Sequence, residues 1–483
     1  MLGNKEHSLF KKLKNTKINI MKKSFLILFF TFLFLGGFYF ISFHIPRTAV
    51  IERPQNLSVN YSNIISTSSP ENYQKKPFFL KMISDIKDDL ILENKSFLEI
   101  NLSAMKIKLY KDGKPTKEWP ILAKGDPQEW GGSALGMYKI LSGNEISFSI
   151  VTDVYMPYAL HYYGKYYIHG VPYYPGGQKR ITTITGGCIQ LSDKDAKEIY
   201  ELAELDMPVL AIDKERDNYQ FFQEKSSDFP EVSAKSYLAA DLNSGFVFAE
   251  KNSQEQLPIA SLTKLMTATV IAENVDLRKS ILIKPEMLEA YGTTKGLEAG
   301  KSFRVVELFY PLLIESSNDA AEIFSGFLGR TKTIKIMNEK AKAILMANTE
   351  FVDPHGFDSK NVSTAQDLFQ LAKYITDARP LLWEITKGKQ VRSFGEVRFD
   401  IKELWNKNVF NNDSNFVGGK TGYTVPAKYT AIFIFKFNTN DEKTRDIVII
   451  LLGSEDNKID TQKIYKWLQE NYSLLPIIPI VEN

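Results

Sequence analysis

Cysteine is nearly absent from this chain: Cys188 is the only one in 483 residues. No intramolecular disulfide can form, so cross-links contribute nothing to the fold. Histidine is almost as scarce, with five residues and neither H-E-x-x-H nor C-x-x-C spacing. That pattern gives no metal site, and no cofactor fingerprint stands in its place. An excess of one charge sign is missing too. Sixty Lys and Arg against 57 Asp and Glu leave a formal net charge of +3. With no dense basic stripe, nucleic acid is not an expected partner.

Long apolar runs are also few, and one of them organises the N-terminus. Ser24 to Phe43 holds no charge and is rich in Phe, Leu and Ile, a length that crosses a bilayer as a helix. Lys5, Lys11, Lys12, Lys14, Lys17, Lys22 and Lys23 precede it and place the N-terminus in the cytoplasm. A cleaved signal peptide is the competing reading, but Ile41 to Val50 offers no small-x-small cleavage site. The expectation is therefore an uncleaved signal anchor, starting at Met1 or Met21, in the cell membrane. The remainder is extracytoplasmic. Pro46, Pro54, Pro70 and Pro77 in a polar stretch read as a stalk.

At this length two domains are the natural prior. The expected boundaries are 1–23 for a basic tail, 24–43 for the transmembrane anchor and 44–92 for the stalk. A mainly-β domain extends over 93–213, a linker over 214–232, and an α/β domain over 233–475. In the first domain Met105 to Leu109 alternates with period two, and Asp112-Gly113 supplies a hairpin turn before Trp119 to Ala123. Gly136 to Leu141, Ile146 to Thr152 and Tyr166 to His169 read as further strands. Ser192 and Asp195 cap a helix running from Ala196 to Leu205.

Two residue types in this domain could carry chemistry. His169 stands in Tyr167-Ile168-His169-Gly170, and Cys188 in Thr185-Gly186-Gly187-Cys188-Ile189-Gln190. A thiol attacks as thiolate, and an imidazole within reach can take its proton. By spacing alone, however, the pair reads equally as a core histidine and an inert buried thiol.

The second domain is organised around Ser261-Leu262-Thr263-Lys264 at the head of an apolar, helix-like run. Positions three apart share a helix face, so the lysine amine can sit one turn above the serine hydroxyl. A serine needs such a base, and a lysine serves only if burial and cationic neighbours lower its pKa. Alone the motif is cheap. Its force comes from Ser316-Ser317-Asn318, 55 residues on, and Lys420-Thr421-Gly422, about 100 residues later. That order is the one used by penicillin-binding serine acyltransferases. Helical patterning dominates from Val305 to Leu328, from Thr333 to Ala347 and from Thr364 to Thr376, and strands return at Phe416 to Thr421, Tyr429 to Phe437 and Asp446 to Gly453. The last two are nearly all apolar, as central strands are.

Both domains resemble known families. Ser133-Ala134-Leu135-Gly136, Met156-Pro157-Tyr158, His169-Gly170 and Thr185-x-Gly187-Cys188 make the first similar to the YkuD-type L,D-transpeptidases of bacterial cell walls. The resemblance implies a β-sandwich-like domain with Cys188 as nucleophile and His169 as its base. It also sets Thr185 and Gly187 in the active-site loop. Gly186 stands where some members have a second histidine, and Gln190 where many have Arg or Asn.

The three serine motifs, with Asp353-Pro354-His355-Gly356-Phe357 and Ser363-Thr364-Ala365, make residues 234 to about 475 resemble the D-alanyl-D-alanine carboxypeptidases. This implies a β-lactamase/transpeptidase-like fold with Ser261 as nucleophile and Lys264 as base. Ser316 would be a proton relay and Asn318 a substrate contact. Lys420 and Thr421 would hold the terminal carboxylate, Gly422 would offer open backbone to the substrate, and the amides of Ser261 and Tyr423 would hold the oxyanion. His355 reads as structural. The implied partners are peptidoglycan stem peptides, with β-lactams as acylating inhibitors.

A serine β-lactamase is the first rival. One large class needs a Glu in E-x-x-L-N, but the chain's Leu242-Asn243 has Ala239 at that place and precedes the nucleophile. The second rival is an enzyme active only at its serine, with the cysteine domain a peptidoglycan-binding module. The expectation is a membrane-anchored enzyme with two heads: a D,D-carboxypeptidase that trims pentapeptide stems and an L,D-transpeptidase that crosslinks the resulting tetrapeptides.

Overall fold

The Asp112-Gly113 hairpin forms as its residues require: both take positive φ, 49° and 73°, the backbone of a tight turn matched to strand twist. It joins β2 (Lys106–Lys111) to β3 (Lys114–Pro120), and β1 (Phe97–Asn101) lies on the other side of β2. A computed structural model describes residues 79–473, save 215, 216, 218, 220, 224–226, 289, 290, 293, 295, 392–396, 399 and 439–443. The expected tail, anchor and most of the stalk lie outside the described residues. Among those described, no helix is long and apolar enough to cross a membrane.

The first domain is mainly β, as expected. With β4 (Gly136–Lys139) and the late strand Pro208–Ile212, the hairpin strands form a five-stranded sheet. A second sheet holds β5 (Ser142–Ser149), β6 (Val154–Tyr163), β7 (Tyr166–His169) and β8 (Ile189–Gln190) in sequence order from one edge to the other. The strand β6, between the stretches Ile146 to Thr152 and Tyr166 to His169, is one that sequence patterning did not mark, because Pro157 and four tyrosines blur its alternation. Parallel pairing of β8 with β7, Ile189 on Ile168 and Gln190 on His169, brings the Cys188 loop to the histidine strand. Helix α1 (Asp193–Leu202) comes next, its start capped by Ser192 accepting from the Asp195 amide. The late strand Pro208–Ile212 is β9 below.

The second domain is α/β. Its sheet runs in the order β11 (Val247–Lys251), β10 (Ser236–Asp241), β14 (Thr444–Ser454), β13 (Lys428–Asn438), β12 (Phe416–Thr424), all antiparallel. The nearly continuous apolar runs of β13 and β14 place them inside the sheet, with both faces covered. Ile447, Ile449 and Leu451 join one core with Ile464, Trp467 and Leu468 of α7. Val448, Ile450 and Leu452 face the opposite core with the helices between the two halves of the sheet. Those helices are α2 (Thr263–Asn274), α3 (Val305–Leu313), α4 (Asn318–Leu328), α5 (Arg330–Ala343) and α6 (Ala365–Ala378); α7 is Asn457–Asn471.

The stretch read as a linker does not hang free. Phe221 is buried in the second domain's core with Tyr219 and Phe229 packed on it, and Asp217 accepts from Arg445. All described residues belong to one compact unit, 75–483. Its largest core runs without a break from Leu98 and Ile168 of the first domain to Leu265 and Phe309 of the second. Trp130 stacks on Phe309 across the junction at 5.2 Å.

Candidate active sites

The apolar run after Ser261 folds as α2 and buries almost every residue, Lys264 included. Ser261 sits in a single 3-10 turn, Ala260–Leu262, just before it. One helical turn later the Lys264 amine donates to Ser261 Oγ at 2.8 Å and to the His355 carbonyl at 2.7 Å. Burial pushes this lysine down to about 7, against the opposing pull of Asp353. An amine so depressed is available as a base near neutral pH.

The other two motifs converge on the same point. Helix patterning between Val305 and Leu328 breaks at Ser316, which takes a positive φ of 62°. That strained backbone turns its hydroxyl to Lys420, whose amine donates to Ser316 Oγ at 2.8 Å and to the Thr421 carbonyl at 2.7 Å. Ser317 instead caps α4 through the Ala320 amide. Asn318 donates to the Tyr291 carbonyl at 2.7 Å. Lys420-Thr421-Gly422 lies on β12, the edge strand, whose open side faces Ser261. A Cβ on Gly422 would come within 2.7 Å of the Ser261 amide nitrogen. Ser261, Ser316, Asn318, Thr421, Gly422 and Tyr423 line one cleft of about 790 Å³.

The cleft also holds groups that the motifs did not announce. Lys407 lies on its wall, with its amine 3.0 Å from the centre of the Trp405 ring. Burial, then the Lys264 and Lys407 ammonium groups, press Lys420 well below the ordinary lysine range. A bound carboxylate would reverse that pressure. Because the free-state Lys420 lies well below the ordinary lysine range, binding of a peptide with a free C-terminal carboxylate to the Ser261→Ala protein is expected to take up protons at a pH below that range. Calorimetry in buffers of different ionisation enthalpy measures this, and the uptake should vanish in Lys420→Gln. Equal uptake in both proteins would refute the assignment.

Asp353 and Gly356, visible in sequence only as part of a family string, shape the nucleophile's surroundings. The Asp353 carboxylate accepts from the amides of His355, Gly356 and Asp358. That turn aims the His355 carbonyl at Lys264. The structural reading of His355 covers its side chain, which meets Glu322 and Asp353, while its backbone touches the lysine.

The first domain's pair is arranged differently. His169 is buried, and its Nδ1 lies 2.6 Å from the Gly170 carbonyl. Burial, against that bond, pushes the imidazole down to about 4, so it is neutral at neutral pH. With Nδ1 protonated toward the carbonyl, Nε2 is free to accept a proton. Cys188 is half-buried, and its thiol donates to the Lys165 carbonyl at 3.7 Å. No hydrogen bond joins it to His169 among the described residues. Burial pushes the thiol up to about 11, against the Tyr167 backbone amide and the Lys165 ammonium.

The loop around the thiol is tightly built. Thr185 Oγ1 donates to the Cys188 carbonyl at 2.6 Å and accepts from the Gly187 amide at 3.1 Å. Gly187 is buried with φ 115°, and a Cβ there would lie 2.0 Å from the Tyr166 ring. Gly186, by contrast, is exposed, with open space where a Cβ would be. Gln190 is buried, and its Oε1 has no partner among the described residues.

A serine, a depressed lysine and a second serine held by an edge-strand lysine define a serine acyl-transferring peptidase, here joined to a β domain bearing one thiol. The chain belongs to the D-alanyl-D-alanine carboxypeptidase family, which it matches over residues 223–454. Residues 95–210 match the L,D-transpeptidase catalytic domain, so the two resemblances read from sequence describe a genuine fusion. Among relatives, a D-alanyl-D-alanine endopeptidase of Pseudomonas aeruginosa is 30% identical over 249 residues, covering 50% of this chain and 78% of that one. A D-alanyl-D-alanine endopeptidase of Haemophilus influenzae is 34% identical over 208 residues, 42% and 70% of the two chains. D-alanyl-D-alanine carboxypeptidase DacC of Escherichia coli is 28% identical over 266 residues, 51% of this chain and 64% of its own length.

Proposed function

We propose that this protein trims and crosslinks peptidoglycan stems with two nucleophiles, anchored by residues 24–43 with both domains outside the cytoplasm. The observation that carries the serine half is the 2.8 Å contact of Lys264 with Ser261 at the wall of the cleft. Ser261 Oγ attacks the carbonyl of the penultimate D-alanine as Lys264 takes its proton. The oxyanion is received by the amides of Ser261 and Tyr423. The C–N bond breaks, and the leaving amine of D-alanine gains its proton through Ser316. Lys420 and Thr421 hold the departing carboxylate, and Asn318 contacts the stem. Water then hydrolyses the acyl-serine. A β-lactam takes the same first step and remains as an acyl-serine. Carboxypeptidase and endopeptidase action share these groups and differ only in the size of the amine released.

Cys188, once its proton has passed to His169, attacks the tetrapeptide that the serine half produces. D-Alanine leaves, and an amine of a neighbouring stem takes the acyl group. Two sites in one compact unit raise the local concentration of the shared intermediate. A second reading has its own observation. The resting thiol sits near 11 and donates to Lys165 rather than to His169, which favours a cysteine domain that holds stems without turnover.

Mass spectrometry separates these. Full-length protein recovered from membranes, where the anchor should place it, is given pentapeptide muropeptides. Tetrapeptides plus dimers are expected, with dimers alone lost in Cys188→Ala and both products lost in Ser261→Ala. Pure tetrapeptide should restore crosslinking to Ser261→Ala. Tetrapeptide without dimers establishes the second reading, and no turnover at all defeats both.

A further inference from the structure

The thiol loop is held in place from the other domain. Arg379, buried at the end of α6, donates from Nη1 to the Gly132 carbonyl at 2.7 Å and from Nη2 to Tyr166 Oη at 2.8 Å. Both acceptors bracket Gly187, the residue before Cys188. A Cβ on Gly187 would meet the Tyr166 ring at 2.0 Å and the Gly132 carbonyl at 3.1 Å, so there is no slack between them. Lys165 forms the second brace. Its carbonyl accepts from the thiol, while its amine donates to the carbonyls of Ala272 and Val275 at 2.8 and 3.2 Å. Those carbonyls close the C-terminal end of α2, the helix whose first turn carries Lys264.

Arg379 is itself fixed. Glu273 of α2 contacts it at 3.0 Å and contacts Lys340 of α5 at 3.0 Å, all three side chains being buried. Lys340 in turn donates to Tyr138 Oη of the first domain at 2.7 Å. Buried ion clusters of this kind cost desolvation that simple apolar packing would avoid, so adhesion alone does not account for one placed between two domains.

We infer that Arg379 of the serine domain is a positioning residue for Cys188, and that the cysteine centre is complete only when docked on the end of α2. This rests on the transpeptidase reading above. The route is backbone geometry: Arg379 sets Gly132 and Tyr166, these set Gly187, and Gly187 sets the direction of the thiol.

Because Cys188 is the only cysteine, alkylation of the full-length protein reports it alone. Arg379→Lys and the milder Tyr166→Phe are compared with wild type in three assays. Acylation of Ser261 by a fluorescent penicillin should be unchanged, which controls for folding. Dimer formation from tetrapeptide should fall on the order of tenfold to a hundredfold, the cost of an ångström-scale misplacement. Iodoacetamide should instead react faster at neutral pH, with its pH midpoint moved down toward that of an ordinary thiol, because a loosened loop admits water. A general loss of fold would lower all three readings together. If Arg379→Lys loses penicillin binding, Tyr166→Phe decides alone. Unchanged dimer formation in the well-folded variants overturns the inference. If wild type itself makes no dimers, the transpeptidase reading fails, and the alkylation midpoint still decides: an unmoved midpoint overturns the positioning role.

Discussion

Replacing Lys264 by methionine is expected to slow acylation of Ser261 by a fluorescent penicillin on the order of a thousandfold, within the range that a positioned general base supplies. Methionine keeps the buried volume of the side chain, so α2 and its packing survive. What disappears is the only amine in hydrogen-bond contact with Ser261 Oγ among the described residues. Lys420 is no substitute, since its amine is engaged by Ser316 and the Thr421 carbonyl. The pH dependence gives a second test. In wild type the neutral amine is the active form, so the acylation rate should rise with pH and reach half its limit near 7, where burial has brought Lys264. Below that value the amine is protonated and cannot accept. In Lys264→Met this rise should be absent. A loss smaller than tenfold, or an unchanged pH profile, would move the base role to another group.

Much of this arrangement is legible from residues alone, for identifiable reasons. The strands β13 and β14 announce themselves because a strand covered on both faces is apolar at every position. The Asp112-Gly113 hairpin does so because few residue pairs accept two positive φ values. The three serine motifs are legible as spacing, and the edge position of Lys420-Thr421-Gly422 agrees with a run that must offer open backbone. The illegible part depends on contacts distant in sequence. Ala260 and Ser316 carry φ values of 47° and 62°, in a region that neither residue type favours. Only the surrounding fold imposes that strain, so no local pattern reports it. The helix expected without a break from Val305 to Leu328 is split for this reason.

The same applies between the domains. Glu273, Lys340 and Arg379 are 106 residues apart at their extremes, and each taken alone reads as a solvated charge on a helix. Only the packing of α2, α5 and α6 brings them together, out of water. The linker reading of 214–232 meets its limit at the aromatics: Tyr219, Phe221, Phe222 and Phe229 interrupt a polar stretch, and Tyr219, Phe221 and Phe229 are packed into the second domain's core. With Trp130 against Phe309 and Lys165 on the end of α2, the two halves share a continuous interior. On the proposed coupling, substrate passed between the nucleophiles would move relative to this shared interior, a different demand from two heads on a swinging tether.

Gly356→Ala is the substitution expected to be most damaging for its size. Gly356 has φ 84°, and a Cβ placed there would lie 1.8 Å from the Ala260 carbonyl oxygen and 2.7 Å from Thr263 Oγ1. The left-handed backbone alone costs an alanine about 1–3 kcal/mol. The overlap costs more, because neither side can retreat. Asp353 pins the glycine's own turn through three backbone amides, while Thr263 Oγ1 donates to the Ala260 carbonyl at 2.8 Å and locks the turn before Ser261. Relief requires the Ala260–Ser261 backbone to shift by roughly 1 Å, enough to cost on the order of a hundredfold in acylation. His355→Ala is the matching control. It removes a side chain in contact with Glu322 and Asp353 but keeps the carbonyl that holds Lys264. Its expected cost is about 1 kcal/mol of stability with acylation nearly intact. Penicillin acylation and thermal melts on both variants check the contrast. Equal acylation losses would mean that the histidine side chain, and not the close approach of Gly356, shapes the nucleophile's turn.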